Sequence, residues 1–286
     1  RMDITVVNVN TNDDRKWSFE MPNWANQFPL VMGDTYRHGG VSKKPCESLN
    51  LATHIGDSLQ DVLDNRSIVA NHLGVSPDRI TCGNQVHGLN AARITEDLIG
   101  AGAMSSDTAI PDCDAIYTDI PNIPLFLFTA DCVPVGIYDS VHHVVATVHA
   151  GWRGAIGHLP VITIEAMQRD FGTRFEDCYV YLGPSIGPES FEVNQELADT
   201  FTDEWKKITD ANSDELVRYI VRDGASKATP HVDLWRFIED LLQRGVPKDQ
   251  ICIGGTDSMT DENCFSYRRE HGKTGRMALF GMLEKR

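Results

Sequence analysis

Between Pro124 and His149 the chain runs through three short apolar, β-branched segments, PLFLFT, VPVGIY and HHVVATVH, broken by Ala130-Asp-Cys132 and by Asp139-Ser140. Apolar runs of this length bounded by turn residues predict strands in the core of a sheet. The last of them passes directly into Ala150-Gly-Trp-Arg-Gly154, so a histidine, a tryptophan and an arginine gather where a buried strand ends in a glycine turn.

The remaining segments fix the fold class. GDSLQDVLDNRSIVANHLG (56–74) has helical spacing, with Asp57 as expected cap, Gln60 three residues on, Leu59, Val62, Leu63, Val69 and Leu73 on one face, and Gly74 as the stop. AIGHLPVITIEAMQRDFG (155–172) is also helical, with Pro160 marking its true start, and CYVYLG (178–183) predicts a further strand. LWRFIEDLLQRG (234–245) predicts an amphipathic helix capped by Asp233 and stopped by Gly245, and the tail CFSYRREHGKTGRMALFGML predicts a hairpin turning at His271-Gly-Lys-Thr-Gly275. Strands and helices mix without a strict βαβ rhythm, which predicts an α/β fold on a mixed sheet rather than a regular barrel. No repeat, low-complexity tract or linker divides the 286 residues, so residues 1–286 are expected to form a single domain, with Arg1 ahead of Met2 an added residue.

Charge and cysteine usage exclude several partners. The formal net charge of −15 repels phosphodiester backbones and anionic membranes, so neither a nucleic-acid polymer nor a membrane is expected, although a local arginine cluster can reverse the sign inside one cleft. The seven cysteines are odd in number and form no Cys-X-X-Cys pair, which predicts a reducing, cytoplasmic setting. No signal sequence is visible, and no apolar run reaches the ~20 residues of a membrane helix. The oligomeric state is left open, with a monomer the default expectation.

Three groups are candidates for chemistry. Gln85-Val-His-Gly88, Ala130-Asp-Cys132 and His149 place histidine and cysteine at strand ends, and three such donors with one open position describe a catalytic zinc site. The spacing is loose, with 44 residues between His87 and Cys132 and 16 between Cys132 and His149, and a packed core histidine or cysteine fits the same spacing. The turn after His149 offers backbone N–H groups, Gly151 and Gly154, and the fixed charge of Arg153, an arrangement suited to phosphate; a surface Trp-Arg stack fits equally. Arg37 in Tyr36-Arg-His-Gly-Gly-Val-Ser42 and Asn50 in Ser48-Leu-Asn-Leu-Ala52 could bind a ligand or belong to a structural turn, and Phe265-Ser-Tyr-Arg-Arg269 could be an edge strand with solvated arginines.

Taken together, RHGGVS (37–42), SLNLATHIGD (48–57), NR (65–66), QVHG (85–88), ADCVP (130–134), HAGWRG (149–154), GPSIGPESFEV (183–193) and FSYRR…GR (265–276) resemble the YfiH-like family, in the family's order and across nearly the whole chain. The family was once labelled multicopper polyphenol oxidases or laccases and is associated with purine nucleoside metabolism. The resemblance implies a four-layer α/β/β/α sandwich and a zinc ion held by His87, Cys132 and His149. It also implies phosphorolysis of adenosine, inosine, guanosine and 5′-methylthioadenosine, and deamination of adenosine. Phosphate is then expected on Arg153, Arg37 and the turn at Gly151, the nucleoside near Asn50 and Gln85, and Asp131 is a candidate proton donor that could equally orient the Cys132 loop or a ligand histidine. Gly255-Thr256 departs from the Cys-Thr pair frequent in the family at this place.

Three other readings compete. Cys132 and His149, with His87 as orienter, could be the nucleophile and base of a cysteine hydrolase or deamidase. A copper-binding polyphenol oxidase is disfavoured because the ten histidines include no His-X-His pair, although Cu²⁺ could replace zinc adventitiously. A binding module would hold a nucleoside without turnover.

Overall fold

The computed structural model describes residues 3–286, so the reading of Arg1 as an added residue lies outside the described residues. In chain order the N-terminal part consists of β1 (Ile4–Asn10), β2 (Lys16–Pro22), β3 (Leu30–Thr35), α1 (Leu59–Leu73), β4 (Ala91–Arg93) and β5 (Ala115–Thr118). The middle contains β6 (Leu125–Thr129), β7 (Val133–Asp139), β8 (Val144–Ala150), α2 (Trp152–Ile156), α3 (Leu159–Phe171) and β9 (Cys178–Leu182). The remainder is α4 (Gln195–Lys206), β10 (Val217–Val221), β11 (Ala228–Val232), α5 (Leu234–Leu242), β12 (Ile251–Ile253) and β13 (Met277–Leu283).

These strands form a five-stranded sheet in the order β1-β2-β3-β13-β6, a six-stranded sheet in the order β12-β9-β7-β8-β5-β4, and the β10-β11 ribbon. The first is antiparallel throughout, whereas in the second the outer pairs β12/β9 and β4/β5 are parallel, which makes the fold the mixed α/β type expected.

Alternating side chains explain why the strand runs are continuously apolar. On β6, Leu125 and Leu127 face the six-stranded sheet, joining Met32, Leu279, Tyr138, Val145 and Tyr181, while Phe126 and Phe128 point the other way, toward Trp17, Phe280 and Val69 of α1. On the far face of the six-stranded sheet Val135, Ile137, Ala146, Val148 and Val180 pack against Ile164 and Met167 of α3, Phe201 and Trp205 of α4, and Phe237 of α5. The central strands are therefore covered on both faces, which is why β6 and β8 read as near-continuous apolar runs, whereas the edge strand β1 is half exposed and carries polar residues. The sheets approach closely at Gly136, where a Cβ would lie 2.5 Å from Met32 Sδ.

Several local expectations change. The cap of α1 is Ser58, whose hydroxyl accepts from Asp61 N–H, because Asp57 is engaged by Ser42 Oγ at 2.5 Å and Asn50 Nδ2 at 3.0 Å. The stretch 155–172 divides at His158, which adopts a left-handed φ of 67°; α3 begins just before Pro160, as the proline predicted. Asp233 caps α5 by accepting from Arg236 N–H, but the helix ends at Leu242, ahead of Gly245. The C-terminal hairpin does not form, since 265–276 is a succession of turns and only β13 follows. That turn region is held by Arg269, whose guanidinium donates to the carbonyls of Ser258, Met259 and Asp261, neither solvated nor on an edge strand.

Asn65 and Arg66 of α1 organise the two loops before it. Asn65 Oδ1 accepts from Val41 N–H while its amide donates to Ser42 Oγ and Asn50 O, and buried Arg66 donates to the carbonyls of Leu51, Gly102 and Ala103. Backbone groups that no ladder can satisfy are thus paired by two side chains from one helix.

Candidate active site

Cys132 immediately precedes β7 and His149 lies near the end of β8, and these neighbouring antiparallel strands pair Pro134 with His149 and Val133 with Ala150. The third donor comes from the loop ahead of β4. There His87 takes a left-handed φ of 60°, which allows consecutive N–H groups to converge on one carboxylate. That carboxylate belongs to Asp114, which accepts from the N–H groups of Val86, His87 and Gly88 at 3.0 Å each. Asp114 also accepts from His149 Nδ1 at 2.7 Å, while its carbonyl accepts His149 N–H at 2.8 Å.

The result is a compact donor set: one ligand atom from each of His87, Cys132 and His149, all within 4.8 Å of one another, the one such group of three among the described residues. A borderline-soft cation suits two imidazoles and a thiolate. Space for it is preserved by Gly151, where a Cβ would come within 3.0 Å of Cys132 Sγ and 3.3 Å of His87 Nδ1. Because Nδ1 of His149 is engaged by Asp114, Nε2 is the nitrogen left to bind, the usual division of labour in a ligand histidine.

Electrostatics follow the same geometry. Burial alone would push His149 down, but Cys132 and the Asp114 carboxylate outweigh it and carry its pKa up to about 9. For Asp114, burial pushes up, yet the His149 contact and the Val86 and Gly88 amides hold its carboxyl below the usual range. His87 is pushed down by burial and by His149 beside it.

The donors form part of the wall of a cleft of about 380 Å³, within the size range of small-molecule sites. Phe128, Trp152, Ile186, Phe191 and Leu234 give it apolar faces, and His54, Tyr267, Arg268 and Arg276 line it as well. Asp131 is the sole carboxylate on this wall among the described residues. A chain with a net charge of −15 therefore encloses a locally basic cleft.

The residues expected from the sequence divide in two. Gln85, His87, Asp131, Cys132, His149 and Gly151 all line the cleft. Gln85 does so as a structural clamp, since its amide exchanges hydrogen bonds with the N–H and carbonyl of Phe128 at 2.8 and 2.7 Å. Asp131, at a strained φ of 107°, accepts from Ser258 and Ser266 on one oxygen and from Arg268 N–H on the other. Burial pushes its pKa up against these donors. With both oxygens accepting, Asp131 anchors the 266–268 turn, and the carboxylate that accepts from His149 is that of Asp114.

Arg37, Asn50 and Arg153 are not brought into the cleft wall. Arg37 pairs with Glu270 at 2.5 Å and stacks on Phe265, bracing the turn region from outside. Asn50 is fully buried, bonded to Ala52 and Asp57. The exposed Arg153 lies 4.2 Å over the ring of Trp152, and α2 is a helix of only five residues. Thr256, at the departure from the family pattern, donates to Glu20 at 2.9 Å outside the cleft.

Sequence reasoning missed Asp114, His54, Arg268 and Arg276. The last two stood inside a quoted motif, FSYRR…GR, with no role attached; an isolated Asp before a strand carries no signal until strand pairing places it opposite His149.

With this geometry in hand, the comparisons place the chain. A model of the family described as multi-copper polyphenol oxidoreductase laccase matches residues 31–284, and the chain belongs to that family. Among its relatives, purine nucleoside phosphorylase YlmD of Bacillus subtilis is 32% identical over 270 residues, covering 91% of this chain and 93% of that protein. A purine nucleoside phosphorylase of Bacteroides thetaiotaomicron is 30% identical over 278 residues, 96% of this chain and 98% of the relative. The crystal structure of YlmD from Geobacillus stearothermophilus superposes with a TM-score of 0.83 at 31% identity, covering 98% and 100% of the two chains. That of the Bacillus licheniformis protein YfiH gives 0.84 at 30% identity, covering 93% and 96%. No helix among the described residues is long and apolar enough to cross a membrane.

Proposed function

We propose that the protein is a zinc-dependent purine nucleoside phosphorylase that also deaminates adenosine to inosine. The observation that carries this reading is the convergence of His87, Cys132 and His149 in the wall of a nucleoside-sized, locally basic cleft. Relatives named purine nucleoside phosphorylase support the substrate class, with adenosine, inosine, guanosine and 5′-methylthioadenosine as substrates. We also read the chain as one four-layer α/β/β/α domain, which is supported by apolar clusters that share continuous sheets, and as a cytoplasmic monomer, for which the cysteine usage alone speaks to the compartment.

In phosphorolysis a phosphate oxygen forms a bond to C1′ while the C1′–N9 bond breaks, its electron pair leaving on the purine, which then takes up a proton. In deamination water adds at C6 and ammonia leaves. A zinc ion on the three donors would supply Lewis acidity and a nucleophile available near neutral pH. The protein's own contribution is to fix and shape. Asp114 holds the His149 tautomer and the His87 loop. Asp131 anchors the turn carrying Tyr267 and Arg268. The walls of Phe128, Ile186, Phe191 and Leu234 exclude water and present apolar surface to the base and sugar.

One observation favours a second reading. Cys132, His149 and Asp114 form a cysteine–histidine–aspartate series, the arrangement of a cysteine hydrolase. In that case His87 has no task at ligand distance, whereas a metal site uses all three donors. Among the described residues a single three-donor group also leaves no place for the several coppers of a multicopper oxidase, although Cu²⁺ is expected to compete for the same donors.

Metal analysis and liquid chromatography of nucleoside incubations decide between them. Zinc near one equivalent in the wild type, its loss in Cys132→Ala, and formation of purine base and inosine by the zinc-loaded protein are the expected results. Full occupancy in Cys132→Ala would overturn the ligand assignment. Amide hydrolysis blocked by thiol alkylation, without nucleoside turnover, would establish the cysteine hydrolase.

A further inference from the structure

The reading above needs a place for an anionic co-substrate, and Arg153 of the glycine turn after His149 is exposed, stacks on the Trp152 ring and is not among the lining residues of the cleft. The cleft has two other arginines. Neither Arg268 nor Arg276 forms an ion pair among the described residues, unlike Arg37, which is neutralised by Glu270. Arg276 is half-buried. Its Nη1 donates to the carbonyls of Thr274 and Gly275, which fixes the guanidinium without discharging it.

A second observation lies beside it. Arg276 directly precedes Met277, which pairs across the ladder with Thr129 at the end of β6. Thr129 is 2% exposed, belongs to the cleft wall, and its hydroxyl is without a hydrogen-bond partner. A buried hydroxyl normally finds a partner, so an orphan one in the wall of the same cleft as a guanidinium without an ion pair marks a place where a ligand's oxygens complete the bonding. His54 lines the same cleft. Burial first, and then the charge of Arg276, push its pKa down to about 4, so it faces the cleft as a neutral imidazole at physiological pH.

We propose that Arg276 and Thr129, with His54 beside them, form an oxyanion subsite that holds inorganic phosphate in the cleft. The identification of the anion rests on the phosphorylase reading; the subsite itself rests on the unpaired guanidinium and the orphan hydroxyl. Arg268, whose backbone is held by Asp131 and whose Nη1 donates to Glu192 O, stands on the same wall and adds charge without being the anchor.

The test is calorimetric titration of inorganic phosphate into the metal-loaded protein, with steady-state kinetics in parallel, for wild type, Arg276→Gln, Arg276→Lys, Thr129→Val and Arg153→Ala. Loss of a charge-assisted contact predicts that Arg276→Gln weakens phosphate binding and raises the KM for phosphate by about ten- to a hundredfold, while the KM for nucleoside changes little. Arg276→Lys should recover part of the loss. Thr129→Val, nearly equal in shape, should weaken phosphate several-fold and keeps the test alive if Arg276→Gln fails to fold. Wild-type phosphate affinity in both Arg276→Gln and Thr129→Val overturns the proposal, as does a loss confined to Arg153→Ala. If the wild type binds phosphate, the variants do not, and no purine nucleoside is cleaved, the subsite stands and the phosphorylase reading falls. If phosphorolysis proceeds with an unchanged KM for phosphate in the variants, the phosphorylase reading stands and the subsite falls.

Discussion

Asp114 and His149 meet twice, through a 2.7 Å bond from the imidazole Nδ1 to the carboxylate and a 2.8 Å bond from the histidine N–H to the aspartate carbonyl. The same carboxylate accepts three N–H groups of the loop that carries His87. One buried aspartate therefore sets the position of two of the three residues that could hold a metal ion.

Asp114→Asn should consequently weaken zinc binding by about 10- to 100-fold, the usual cost of losing the group behind a ligand histidine. Chelator competition measures this directly. An unchanged zinc affinity would show that His149 is oriented by its backbone alone.

Gly151→Ala isolates the space around the donors. Its φ of −70° and ψ of −173° suit alanine, so the fold should be retained. The new Cβ would press on Cys132 Sγ at 3.0 Å and on His87 at 3.3 Å. Metal content is expected to fall while the melting temperature of the metal-stripped protein hardly moves. Full zinc occupancy in the variant would count against the assigned site.

Asp34→Asn addresses stability. Asp34 sits across from Glu20 on the neighbouring strand, is fully buried, and its carboxylate oxygens make no well-formed hydrogen bond. Burial first, and Glu20 second, push its pKa well up. A carboxyl raised in this way keeps its proton in the folded state after the unfolded chain has lost it, so stability is fully present below the unfolded pKa and falls as pH climbs toward the folded one. Each pH unit of that interval costs about 1.4 kcal/mol. Asp34→Asn should therefore melt above wild type near neutrality, with the gap closing toward about pH 4. A gap that does not change with pH would show that Asp34 does not titrate between the two states.

Arg66→Ala removes the donor to three buried carbonyls, those of Leu51, Gly102 and Ala103. Leaving such groups unpaired costs about 1–3 kcal/mol each, so a loss of ~3 kcal/mol or more is expected in urea unfolding. A loss under about 1 kcal/mol would mean that water or a loop shift replaces the guanidinium.

How much of this was legible in the sequence depends on how far each contact reaches. The strands of 124–149 and the stop at Gly74 were readable because apolar runs and glycine act locally. The three donors were readable through the family resemblance and not through spacing, because sheet pairing, invisible in a single sequence, brings them together. Arg37 and Asn50 misled for the same reason: a polar residue in a glycine-rich loop looks alike whether it faces a ligand or, as here, Glu270 and Asp57. Arg276 carries no local signal, because only the folded chain places it in the same cleft wall as Thr129.

The pairing of β7 with β8 bears on how the proposed site would take up and release an ion. His149 sits on a rung of this ladder and Cys132 directly precedes its first β7 residue, so the spacing of both is set by backbone hydrogen bonds and by apolar packing on both faces. On the zinc reading, the placement of these two donors is inherited from the sheet instead of being created by the ion, the opposite of a zinc finger, in which metal binding and folding are one event. Stripping the ion should leave the same backbone behind and lower the melting temperature only through mass action. Ion exchange would then be a matter of filling a ready-made socket, and the ion in it would reflect which metals its surroundings offer.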